Sequence, residues 1–94
     1  MRIEITEAAL HDLETLYLDG AAKFRASNAE AYQDALTDSF QKLADFPAAH
    51  PERLEIAPGL RIVRFRAHLI LYRFNDRVIQ ILRIRHGRDD WMSD

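Results

Sequence analysis

The chain contains no cysteine. That excludes disulfides and thiol nucleophiles, and it is compatible with a reducing compartment. No apolar run approaches the roughly 18 residues needed to span a bilayer, and the opening MRIEITEAAL carries no apolar core of a secretory leader. A soluble, cytoplasmic protein without a membrane partner is therefore expected. Glycine and proline are scarce, three of each, and four of the six fall in one stretch, PAAHPERLEIAPG (47–59), which reads as a loop. The glycine-rich turn that cradles phosphates is missing, and so is the strand-to-helix elbow that presents a nucleophilic serine. No lysine follows Lys42.

What is present is an ordinary globular composition, 48% hydrophobic and 30% charged over 94 residues. It is enough for a single domain spanning 1–94. The formal net charge of −2 conceals a division. Residues 1–52 hold four basic side chains against ten acidic, and residues 53–94 hold nine basic against five acidic, so the halves carry about −6 and +4. Every basic residue in the second half is arginine, whose planar guanidinium suits bidentate contacts to phosphate or carboxylate. Such asymmetry points to a partner on the basic side.

Hydrophobic spacing divides the chain into six elements. RIEI (2–5) alternates as a short strand. Thr6 is placed to cap a helix whose apolar face runs through Ala9, Leu13, Leu16, Tyr17, Gly20 and Phe24. Ser27-Asn28-Ala29-Glu30 reads as a capping box opening a second helix, with Tyr32, Leu36, Phe40 and Leu43 on one side and Pro47 ending it near Phe46. Three apolar runs follow, LRIVRF (60–65), HLILYRF (68–74) and VIQILRIR (78–85), joined closely enough for hairpins. The order β-α-α-β-β-β predicts an α+β fold, a helix hairpin packed on one face of a small antiparallel sheet.

Strict alternation along the last strand assigns Leu82, Ile84 and His86 to the helix side and Ile79, Ile81, Arg83 and Arg85 to an open face, where Arg61 or Arg64 can join them. The candidate partner-binding set is Arg61, Arg64, Tyr72, Arg73, Arg83, Arg85, His86, Arg88 and Trp91. Arginines beside a tyrosine and a histidine can bind a nucleic-acid backbone and stabilise a charged transition state, or bind an acidic protein surface. They can equally pair with the domain's own carboxylates, such as Asp76, Asp89 or Asp90. His86 beside Asp89 and Asp90 lacks a second histidine at ligand spacing, so neither metal nor cofactor is expected. Trp91 reads as a lid on the core or as an anchor for a partner.

The early helix TEAALHDLETLYLDGA, the stretch PGLRIVRFRAHLILYRF and the ending VIQILRIRHGRDDW together resemble the ParE/RelE superfamily of toxins from type II toxin–antitoxin systems. The ending ILRIRHGR and the Tyr72-Arg73 pair are more similar to the ParE branch. That resemblance implies a RelE-like fold, a cognate ParD-like antitoxin in a hetero-oligomer, and inhibition of DNA gyrase until the antitoxin neutralises the toxin. The RelE branch implies instead a ribosome-dependent endoribonuclease cutting mRNA. For that activity the resemblance would place Arg61 and Arg83 at transition-state positions, with Glu55 and His86 as acid–base candidates. A third expectation is an inactive, toxin-like binding module.

Overall fold

A computed structural model describes residues 1–88; Asp89, Asp90 and Trp91 lie outside the described residues. Strand β1 (Arg2–Ile5) leads into helix α1 (Glu7–Lys23) and helix α2 (Ala26–Asp45), followed by β2 (Arg61–Phe65), β3 (His68–Phe74) and β4 (Val78–His86). The six elements and their order match the sequence pattern.

Local signals explain most of the boundaries. The Thr6 hydroxyl accepts the Ala9 N–H at 3.1 Å, capping α1, and donates to the Leu82 carbonyl at 2.9 Å, which ties the start of the helix to β4. The second helix opens differently from expectation. It begins at Ala26 with Arg25 as N-cap, and no side-chain cap bond forms, so the capping box at Ser27–Glu30 is absent. The reason is the tightness of the interhelical joint. The Arg25 carbonyl already accepts from Asn28 and Ala29 in the first turn, which places Ser27 inside the helix. Gly20 lets α1 pack close against α2; a Cβ there would lie 3.3 Å from the Ala29 Cβ.

The sheet order is β1-β4-β3-β2. The β2-β3-β4 meander is antiparallel, as expected, but β1 joins it in parallel beside β4, so the sheet is mixed. Arg66 turns the β2–β3 hairpin at a φ of 52°. Asn75 builds the next turn, its side-chain oxygen accepting the Arg77 and Val78 amides at 2.8 and 2.9 Å.

One irregularity resets the side chains. Between Leu71 and Tyr72 the register slips, so that Leu71 faces Arg83 while Tyr72 faces Ile81, which leaves Leu82 as an extra residue in β4. Such a bulge reverses the alternation of side chains beyond it. Ile79 and Ile81 are therefore 0% exposed and Ile84 only 5%, all in one core with Leu36, Phe40, Ile70 and Tyr72. The expected split of faces is corrected accordingly. Ile84 lies on the helix side as expected, but Ile79 and Ile81 join it there, and Leu82 is only half-buried.

Candidate functional site

Beyond Ile81, β4 outruns β1, whose last residue, Ile5, pairs with Ile81. An unpaired strand edge presents backbone groups that need partners. Two side chains of the first helical segment supply them. Thr6 meets the Leu82 carbonyl, and the Asp12 carboxylate accepts the Ile84 N–H at 2.9 Å. The same carboxylate receives Arg83 in bidentate fashion, at 2.8 Å from Nε and 3.0 Å from a terminal nitrogen. Burial pushes the Asp12 carboxyl up. The bonds from Arg83 and the Ile84 amide, with the charges of Arg83 and Arg85, outweigh that and hold it below the ordinary carboxylate range. In return Asp12 raises the Arg83 guanidinium.

Past this clamp the helix hairpin draws away from the sheet and leaves a groove of about 1160 Å³. Its walls include Leu16 and Gly20 of α1, Phe24 just beyond that helix and Ala29 of α2; its floor includes Tyr32 of α2, Ile84 and His86 of β4 and His68 of β3. Phe24, 69% exposed, stands at the rim. The floor carries a chain of polar rings. Tyr32 shares a hydrogen bond with His68 Nδ1 at 2.7 Å, and the His68 ring meets the His86 ring edge-on at 5.3 Å. His86 Nδ1 accepts the Arg88 amide at 3.1 Å. Burial raises the Tyr32 phenol, against the opposing influence of the Ala67 backbone and Arg66.

The candidate residues separate into groups instead of forming one cationic face. Arg83 is held by Asp12, an acid of its own domain and not one of the carboxylates expected from the sequence. Arg61 turns to the helix side, donating to the His50 carbonyl and lying 5.1 Å over the Phe74 ring. Tyr72 is 0% exposed, with its hydroxyl donating to the Pro47 carbonyl at 2.9 Å; it is a core residue, and no partner can reach it. Arg73 stands on the face away from the helices, donating to Gln80, which in turn donates to Glu4. Arg64 shares that face, because Val63 and Phe65 on either side of it pack against the core. Arg64 and Arg88 close a second, smaller hollow of about 370 Å³ with Ala67, His86 and Gly87. Arg85 lies between Ile84 and His86, opposite Leu69.

The four ribonuclease candidates are not gathered. Arg61 is level with Tyr72 at one end of the sheet, and His86 is level with His68 and Phe65 at the other. Four residue steps separate them, about 13 Å along the strand direction. Glu55 is exposed in the loop and pairs with Arg53. Its carboxyl is held low by the Arg53 hydrogen bond. Among the described residues no group of histidines and carboxylates is arranged to hold a metal ion. Sequence reasoning missed Asp12 and Tyr32 as parts of the site. Asp12 lies 71 residues from Arg83 and has no local signal; Tyr32 was read as core from its helical spacing, which is half of its role.

A helix hairpin over one face of this four-stranded sheet defines the ParE/RelE fold class. A solved structure from P. aeruginosa, the chromosomal ParDE TA system, shares it at a TM-score of 0.80 and 22% identity, over 92% of this chain and 95% of that one. The family model "ParE toxin of type II toxin-antitoxin system, parDE" matches residues 3–91, and Toxin ParE3 of Caulobacter vibrioides is 30% identical over 87 residues, 93% of this chain and 87% of the relative. The chain belongs to the ParE family of toxins from type II toxin–antitoxin systems. No helix among the described residues is long and apolar enough to cross a membrane.

Proposed function

We propose that this toxin inhibits DNA gyrase by binding it, without cleaving RNA, and that a ParD-like antitoxin neutralises it by docking in the groove between the helix hairpin and the end of β4. The observation that carries the first part is the dispersal of Glu55, Arg61, Arg83 and His86. A general acid or base must lie within hydrogen-bonding reach of the reacting group, together with the cations that stabilise its charge. Arg61 and His86 stand at opposite ends of the sheet, and Arg83 is already engaged with Asp12. The relatives bearing the ParE and ParDE names favour the gyrase reading over the ribosomal one.

The antitoxin reading rests on the groove. It offers apolar walls at Leu16, Ala29 and Phe24 and a polar floor at Tyr32, His68 and His86, as suits an amphipathic segment laid into a cleft. Purified toxin added to gyrase is expected to reduce supercoiling and accumulate cleaved DNA, while mRNA stays intact after brief expression in cells. New codon-positioned mRNA ends with unimpaired gyrase would favour the ribonuclease. Expression without growth arrest would leave a binding module. For the groove, Leu16→Asp is expected to weaken antitoxin binding at least tenfold by calorimetry; unchanged affinity would move the docking site elsewhere.

A further inference from the structure

We propose that the hollow between Arg64 and Arg88, at the end of the sheet where β4 stops, holds a phosphodiester of the DNA backbone. The choice of DNA over other anions rests on the gyrase reading above.

The arginines of this chain divide by what answers their charge. Arg2, Arg53 and Arg83 pair with Glu4, Glu55 and Asp12. Arg61 and Arg73 donate to neutral oxygens of His50 and Gln80. At the corner, among the described residues, Arg64 donates to the Arg66 carbonyl, at 3.2 Å. Arg66 lies over the Phe65 and Tyr32 rings at 5.0 and 5.6 Å. Arg88 is exposed. None of these three has an ion pair among the described residues.

The corner is also shaped. Gly87 is bound to the β2–β3 turn through its amide, which donates to the Ala67 carbonyl at 2.8 Å. A Cβ at position 87 would come within 2.8 Å of one Arg64 terminal nitrogen and 3.0 Å of the other. The Arg64 guanidinium thus lies close beside the Gly87 backbone, and a larger side chain at 87 would have to displace it. A guanidinium held over aromatic rings, as Arg66 is, or beside backbone, as Arg64 is, still has N–H groups to offer a phosphate, and arginine can grip one with two parallel bonds. Among the described residues no carboxylate lines the hollow of about 370 Å³; the described walls are Arg64, Ala67, His86, Gly87 and Arg88.

A polyanion with evenly repeated charges can meet Arg64, Arg88 and the adjoining Arg66 along one bound segment, whereas an acidic side chain on a peptide answers one at a time. That favours a nucleic-acid backbone over an acidic peptide. Gyrase supplies such a backbone, since its substrate is DNA. Ala67 and His86 line both this hollow and the larger groove, so a segment seated in the groove ends beside the phosphate site.

The test is the salt dependence of binding to a fluorescent DNA duplex, followed by anisotropy with the whole chain, whose Asp89, Asp90 and Asp94 are then included in the result. Contacts from Arg64, Arg88 and the adjoining Arg66 give a slope of about −3 in log K against log salt, and each arginine removed lowers its magnitude by about one. Arg64→Gln with Arg88→Gln is expected to weaken binding at low salt at least tenfold and to flatten the slope. Arg64→Lys keeps the slope but binds more weakly. Arg2→Gln with Arg77→Gln, equally exposed at the opposite end, leaves the slope as it was. Thermal melts of each variant show whether it is folded.

No binding by the wild-type chain at low salt, or equal losses from the two double variants, overturns the site. So does a glutamate decapeptide that binds through Arg64 and Arg88 as tightly as the duplex; the corner would then be a peptide site. Gyrase assays on the same proteins separate the two readings. A chain that binds duplex through Arg64 and Arg88 without trapping gyrase breaks keeps the site and loses the gyrase reading. A double variant with unaltered duplex binding that poisons gyrase as well as the wild type does the reverse.

Discussion

The two halves of β4 face opposite demands. From Val78 to Ile81 the strand lies between β1 and β3, paired on both edges, and its inward side chains are sealed in the core. From Leu82 to His86 it keeps β3 but loses β1, and Thr6 and Asp12 meet the exposed edge before it runs into the groove. One strand is thus a structural member at its start and part of an open groove at its end. The bulge at Leu82 marks the change. The difference shows how a domain this small forms a groove without a separate element for it. A strand longer than its neighbour leaves an edge, and the nearest helix closes only part of it.

The comparison breaks most readily at the paired half. Ile81→Ala removes a side chain with no exposed surface and is expected to cost about 2–5 kcal/mol of folding stability by chemical denaturation. A loss no larger than that from trimming the half-buried Leu82 would mean that the bulge does not divide the strand as described.

The clamp between the halves comes next. Asp12→Asn loses the charge opposite Arg83 and weakens the acceptor for the Ile84 amide, with an expected cost of about 1–2 kcal/mol, since the Arg83 side chain is 42% exposed and solvent screens the pair. The sign of its pH dependence follows from the depressed carboxyl. A folded-state pKa below the unfolded value contributes stability that is present above the unfolded value, near 4, and is lost as pH falls through the folded one. Urea midpoints measured from about pH 5 down to pH 2 should therefore fall more steeply for the wild type than for Asp12→Asn. Parallel curves would show that the carboxylate does not hold the edge.

The smallest effect belongs to the groove floor. Tyr32→Phe deletes the hydrogen bond to His68 and is expected to cost about 0.5–1.5 kcal/mol, with little change in the rest of the fold. The raised Tyr32 phenol should also remove one late-titrating component from the ultraviolet titration above pH 10. If the late component persists in full, burial at that position is not what delays ionisation; Tyr72, whose burial also raises its hydroxyl, remains as the internal reference.

Much of this was legible along the chain. The boundaries of β3, the Thr6 cap, the tight helix hairpin and the antiparallel meander all follow from short-range patterns, because spacing, capping and turn chemistry act over a few residues. The ParE family was legible as well, since the order of helix, loop and arginine-rich last strand survives in the sequence. The site was read less well. Arginine identity alone does not say which guanidinium is answered by a carboxylate, and Asp12 meets Arg83 across 71 residues of chain. The capping box failed for a similar reason: the hairpin joint had already claimed the first-turn amides.

By itself, then, the sequence determined which segments are helices and which are strands, the family they compose, and the concentration of arginine in the second half. Only the tertiary structure decided which way those arginines point. Strand pairing inserted one residue opposite Leu71 and so turned Ile79 and Ile81 inward, and packing brought Asp12 to Arg83 and Gly87 to Arg64. Alternation is a local rule, but a single extra residue, set by the register between neighbouring strands, reverses it for everything that follows.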